Sequence, residues 1–145
     1  MEQSDSARKF LIATHGTFAA GVKSSLDLII GAVDNVFLIQ AYVEENRSIE
    51  AEITGIMEQV GENDELIVFA DILGGSVTNM LLQHALRPNV HIVSGFNLPL
   101  VIEIMMAGAD EPVEAVIKLA IENAKEQMVY VNKLLSTQNT TDDND

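Results

Sequence analysis

Cysteine is absent from this chain, so disulfides, thiol catalysis and thiolate metal sites are all excluded, and a reducing compartment is consistent with that absence. Basic residues are scarce: eight lysines and arginines stand against twenty-two aspartates and glutamates, a formal net charge of −14. Eight cations cannot assemble a broad positive face, which excludes a nucleic-acid surface, and any charged protein partner is expected to present a basic patch instead. No apolar run approaches the roughly 20 residues that span a bilayer. The start, Met1-Glu2-Gln3-Ser4-Asp5-Ser6, lacks the basic and apolar segments of a signal peptide, so a cytoplasmic protein is expected. The three histidines lack metal-ligand spacing, and neither a Walker-type loop nor a Gly-x-Gly-x-x-Gly fingerprint occurs; neither metal nor cofactor is expected. A hydrolase triad is poorly served, because no nucleophile-elbow serine is present.

What is present suits one packed domain: 145 residues, 48% of them hydrophobic, with no internal repeat and no interdomain linker. Apolar runs of strand length at 9–14, 35–40, 66–70 and 89–93 alternate with segments of helical spacing. That alternation predicts an α/β fold: a single doubly wound domain over residues 1–136 with a mainly parallel four-stranded sheet covered by helices on both faces. Ile49, Ile53, Ile56 and Val60 mark one helix face, with Ser48 to cap it and Gly61 to stop it. Another helix is expected to end at Gly31, and a third to follow Gly75 with Ser76 as its cap. The last third predicts a helix from Asn97 to about Ala107, then a long C-terminal one from about Glu111 to Leu135 with Pro112 in its first turn. So long an apolar stripe, Val113 through Leu135, reaches beyond a four-strand sheet and predicts a homodimer. Residues 137–145, polar and with three aspartates, read as an acidic disordered tail.

Chemistry concentrates at two strand ends. His15 follows Phe10-Leu11-Ile12-Ala13-Thr14, and Asp71 follows Leu66-Ile67-Val68-Phe69-Ala70. In a doubly wound sheet both loops open at the C-terminal edge, where ligands bind. A carboxylate accepting Nδ1–H fixes the imidazole tautomer and leaves the Nε2 lone pair free, which is what a nucleophilic histidine requires. Gly74-Gly75-Ser76 offers backbone N–H groups and a hydroxyl to an anion such as a phosphoryl group, and Thr14 adds another hydroxyl. The candidate site is therefore His15 as nucleophile, Asp71 to orient it, and Thr14, Gly75 and Ser76 around the phosphate. His84, near a predicted helix end, and His91, inside a strand, suit structural roles. A receiver-like domain phosphorylated on aspartate is disfavoured, because His15-Gly16 stands where acidic residues would cluster.

At Thr14-His15-Gly16, at Asp71-Ile72-Leu73-Gly74-Gly75-Ser76 with Asn79, and at Gly95-Phe96-Asn97-Leu98-Pro99 with Glu103, the chain resembles the enzyme IIA component of the mannose-type sugar phosphotransferase system. The resemblance runs over residues 8 to 130. It implies that His15 takes phosphate from the histidine-containing phosphocarrier protein and passes it to a histidine of a IIB component. It also implies that Asp71 holds His15, that a homodimer forms, and that membrane IIC and IID components act downstream. Val77 and Leu73 depart from the proline and aromatic residue that family members often carry there. The phosphotransferase subunit of dihydroxyacetone kinase is similar at the first histidine, but Gly16 and Gly74-Gly75 favour the sugar-transport family. A regulatory binding module, whose docking is switched by phosphorylation of His15, would use the same residues.

Overall fold

Four apolar runs become four parallel strands in one sheet, in the order β2-β1-β3-β4. The computed structural model describes residues 7–136, and the tail expected over 137–145 lies outside the described residues. Along the chain run β1 (Arg8–His15), α1 (Phe18–Ile29), β2 (Val36–Ala41), α2 (Ile49–Glu58), β3 (Glu65–Ala70), α3 (Ser76–Leu81), β4 (Val90–Ser94), α4 (Leu98–Met106) and α5 (Val113–Glu126). A short 3-10 turn at Leu82–His84 extends α3.

Both faces of the sheet are buried, which is why the strands read as continuous apolar runs. Phe10, Ile12, Ile67, Phe69 and Val93 point to one side and pack with Ala19, Val22 and Leu26 of α1 and with apolar residues of α4 and α5. Leu11, Ala13, Ile39, Leu66, Val68 and Ala70 point to the other and pack with α2 and with Val77 and Leu81 of α3. The expected doubly wound fold is thus the observed one. From β1 the chain steps through α1 to β2 on one side. From β3 it steps through α3 to β4 on the other, with its helix on the opposite face. With right-handed crossovers, a crevice opens where β1 and β3 lie side by side.

Local signals placed most boundaries. The Ser48 hydroxyl accepts from Ala51 N–H at the start of α2, and the Asn97 side chain accepts from Leu100 N–H at the start of α4. Two expectations are corrected. Gly75, not Ser76, is the N-cap of α3, and Ser76 is the first helical residue, its hydroxyl directed to Tyr42 and His15. The last helix is the longest but ends at Glu126, and helix resumes only over 131–136. Its buried residues are Val116, Ala120 and Ala124, and those that follow it, Met128, Val129 and Tyr130, are exposed, so no burial supports a further turn there.

At the opposite edge from the crevice, Asp64 ties the elements together. Its carboxylate accepts Gly61 N–H at 2.8 Å and Ala7 N–H at 3.1 Å and pairs with Lys9 Nζ at 3.0 Å. The Gly61 hydrogen bond, followed by that of Lys9, holds its pKa below the ordinary 3.8. A depressed carboxyl contributes stability that is complete above the ordinary value and is lost as pH falls through the lower folded one. Asp64→Asn is expected to lower the melting temperature at neutral pH and to flatten the fall in stability below about pH 4. Equal melting temperatures for variant and parent across that range would refute this role.

Candidate active site

The crevice between β1 and β3 receives the last residue of one strand and the first loop residue after the other. Ala13 pairs with Ala70 in the parallel register, so His15 and Asp71 leave the sheet side by side. One carboxylate oxygen of Asp71, Oδ2, accepts both the His15 backbone N–H at 2.9 Å and a hydrogen bond from Nδ1 at 3.0 Å, while Oδ1 lies 3.3 Å from Nδ1. Backbone and ring of the same residue are thereby fixed by one side chain. Burial pushes the Asp71 pKa up, but the backbone N–H of His15, its imidazole hydrogen bond and its charge outweigh that and leave the carboxyl below its ordinary value. An ionised Asp71 assigns the proton to Nδ1 and leaves Nε2 with its lone pair. The His15 side chain is 36% exposed and that of Asp71 only 11%, so the imidazole is the more open of the two groups.

Around this pair the expected residues divide. Gly75 comes close: a Cβ there would meet His15 Cε1 at 3.4 Å and the Ile72 carbonyl at the same distance, so a larger side chain would press on the ring. Its N–H is already given to the Ile72 carbonyl at 3.3 Å. Ser76 Oγ lies 3.5 Å from His15 Nε2. Thr14 is set apart, since it is fully buried and its hydroxyl accepts Ala19 N–H at 2.9 Å, which fixes the start of α1. Gly16 and Gly74 have φ angles of 62° and 80°, a left-handed backbone that glycine adopts without strain. The third motif is structural. Asn97 caps α4 and donates to the Ala124 carbonyl at 3.0 Å, and Glu103 accepts twice from Asn123, so these residues lock α4 to α5. His91 pairs with Glu65 at 2.7 Å within the sheet. The His84 pKa is lowered by burial and then by the Arg87 charge.

Sequence reasoning missed Tyr42. It follows the last residue of β2, next to His15 in the register, and adopts φ 67°, a left-handed backbone that costs a bulky residue about 1–3 kcal/mol. Its ring centroid lies 5.7 Å from that of His15, and its hydroxyl is 2.7 Å from Ser76 Oγ. Only the register of β1 with β2 brings it there, and no periodicity announces that. Phe18, Tyr42, Ile72 and Leu73, which follow β1, β2 and β3, are 53 to 81% exposed and form an apolar rim at the C-terminal edge of the sheet. No helix among the described residues is long and apolar enough to cross a membrane.

Residues 9–121 match the EIIA-man family model, PTS system fructose IIA component. A PTS system mannose-specific EIIAB component of Escherichia coli strain K12 is 24% identical over 119 residues, covering 80% of this chain and 37% of the relative. The chain therefore spans about a third of the curated relatives it matches. A crystal structure from Klebsiella pneumoniae, described as a phosphoenolpyruvate-dependent sugar phosphotransferase system permease, superposes with a TM-score of 0.86 at 35% identity, covering 93% of this chain and 98% of that one. The PTS IIA protein associated with the fucose utilization operon of Streptococcus pneumoniae gives 0.76 at 26% identity, over 92% and 99% of the two chains.

The Asp71 contact makes a spectroscopic prediction. Asp71→Asn removes the charge that favours Nδ1–H, and the share of the Nε2–H tautomer of His15 is expected to rise. Nitrogen-15 NMR of the imidazole reads the two forms directly, and an unchanged tautomer in the variant would mean that Asp71 does not set it.

Proposed function

The chain belongs to the EIIA-man family of phosphotransferase-system IIA components, and we propose that it carries a phosphoryl group on His15 Nε2 in sugar uptake. One observation carries this reading: Nδ1 is engaged by Asp71 at 3.0 Å on a side chain that is 36% exposed, while Nε2 has no partner nearer than the Ser76 hydroxyl at 3.5 Å among the described residues. The donor is the histidine-containing phosphocarrier protein. The Nε2 lone pair attacks its phosphorus, an Nε2–P bond forms, and the donor's P–N bond breaks with its electron pair returning to the donor imidazole. Positive charge develops on the His15 ring, and the ionised Asp71 stabilises it without taking the proton. The Ser76 hydroxyl and the Gly75 turn bound the space that the phosphoryl group fills, and Thr14 contributes by holding α1 behind the imidazole.

The same steps in reverse deliver the group to a histidine of a IIB component, and sugar is then phosphorylated as it enters through membrane IIC and IID components. An acidic chain of net charge −14 suits basic partners, and the apolar rim gives them a surface to cover. Such a role places the protein in the cytoplasm. A homodimer accounts for the C-terminal segment, where Leu119, Met128, Val129, Tyr130, Val131, Leu134 and Leu135 are 47 to 73% exposed in a single copy.

Incubation with phosphoenolpyruvate, enzyme I and the phosphocarrier is expected to add one acid-labile phosphoryl group to the intact mass, and His15→Ala is expected to abolish it completely. Phosphate taken up by the alanine variant would overturn the assignment. Transfer of the label to a IIB protein separates a carrier from a regulatory module, in which labelling would alter docking and stop there. Sedimentation equilibrium is expected to give a dimer that Val131→Asp converts to a monomer; a monomeric parent chain would dispose of the homodimer.

A further inference from the structure

Among the described residues Tyr42 alone combines a side chain with a positive φ. Packing does not explain why, because the residue is 62% exposed. A glycine or asparagine would make the same turn with less strain, so the reason lies in what the side chain does. The ring lies over the His15 imidazole at a tilt of 31°, and the hydroxyl reaches Ser76.

We propose that Tyr42 is a positioning residue that aims the Ser76 hydroxyl at His15 Nε2 and, once the phosphoryl group has arrived, at its oxygens. The proposal rests on the reading of His15 as phosphoryl carrier. Hydrogen-bond direction follows from the far side of the ring. With Nδ1–H given to Asp71, Nε2 is an acceptor, so Ser76 is the donor across 3.5 Å. The Ser76 oxygen then accepts from the Tyr42 hydroxyl at 2.7 Å. Ser76 is the first residue of α3 and not its N-cap, and its hydroxyl contacts Tyr42 and His15. A hydroxyl that accepts one hydrogen bond donates a stronger one.

The relay serves both states of the carrier. When the Nε2–P bond forms, the lone pair that Ser76 addressed is consumed, and the same hydrogen turns to a phosphoryl oxygen a short distance away. Tyr42 continues to donate to the Ser76 oxygen. Both hydroxyls keep their protons throughout, so the electron balance of the transfer is unchanged, and no donor is left unpaired when the group departs.

Tyr42→Phe tests this, since it keeps the ring over the imidazole and removes only the hydroxyl. Phosphate uptake from the phosphocarrier is expected to slow roughly three- to tenfold with the melting temperature unchanged. In a Ser76→Ala background the same change is expected to have no further effect, because the relay is already cut. Imidazole nitrogen-15 NMR of the unphosphorylated protein provides a parallel cycle: Tyr42→Phe shifts the His15 Nε2 resonance when Ser76 is present and leaves it in place when Ser76 is alanine. Parent-like rates and shifts for Tyr42→Phe would overturn the proposal, as would losses that add across the two positions. Failure of the parent chain to take up phosphate would instead remove the carrier reading, and the resonance shifts would still decide whether Tyr42 acts on Nε2 through Ser76.

Discussion

One carboxylate oxygen holds both the backbone and the ring of His15, and the chemistry of the site depends on that double contact. The His15 N–H and Nδ1 converge on Asp71 Oδ2 at 2.9 and 3.0 Å. A single flexible contact to the ring would allow rotation about χ1. With the main chain tied to the same atom, the imidazole is set relative to the end of β3 as well as to its own strand. The contact is possible because β1 and β3 are adjacent in the sheet although α1, β2 and α2 separate them in sequence. Strand order therefore precedes chemistry: a sheet ordered β1-β2-β3-β4 would put β2 between His15 and Asp71.

Apart from the Asp71 carboxylate, no charged side chain pairs with the imidazole among the described residues, which suits the proposed carrier role, in which a phosphoryl group is surrendered as readily as it is accepted. Lys9, Lys23 and Lys118 pair with Asp64, Asp27 and Glu114, and Arg47 with Glu44 and Glu52; none of these carboxylates belongs to the site. The nearest donor to Nε2 is instead a serine hydroxyl. A guanidinium clamp that held a phosphorylated imidazole more tightly than the transition state would raise the barrier to onward transfer, because only binding that is stronger in the transition state than in the ground state speeds a reaction. Hydroxyl donors orient the group while contributing less to holding it. α3, at six residues, also has little dipole to offer, so the expected pull of a helix N-terminus is small here.

Much of this was legible in the sequence, and the reason is geometric. Runs such as Leu66 to Ala70 are fully buried on both faces, so they stand out as continuous apolar segments whose ends locate the mouth of the crevice. His15 and Asp71 fall at those ends and could be paired as soon as a doubly wound order was assumed. Ser76 reads as a cap, since a serine after two glycines before a helix does so whether or not its hydroxyl is used for one. Thr14 looked equivalent to Ser76 by proximity in sequence, yet strand alternation turns adjacent side chains to opposite faces, and its hydroxyl goes inward to Ala19. The end of α5 was hidden because a periodic stripe records which residues are apolar and not how much neighbouring surface there is to cover.

Tyr42 marks the limit of that legibility. Nothing within Gln40-Ala41-Tyr42-Val43 distinguishes a strand end from a tyrosine that matters, because its position depends on the register of β2 with β1 and on a left-handed turn at a residue that disfavours one. Strain of this kind persists only where the surroundings over-determine it. Here Gly16 N–H donates to the Ala41 carbonyl at 2.9 Å, which pins the strand end immediately before the turn and directly beside His15. The glycine after His15 is thus hydrogen-bonded to Ala41, the residue immediately before Tyr42. A change at Gly16 would act on the imidazole from two directions at once, through its own loop and through the strand end that carries Tyr42.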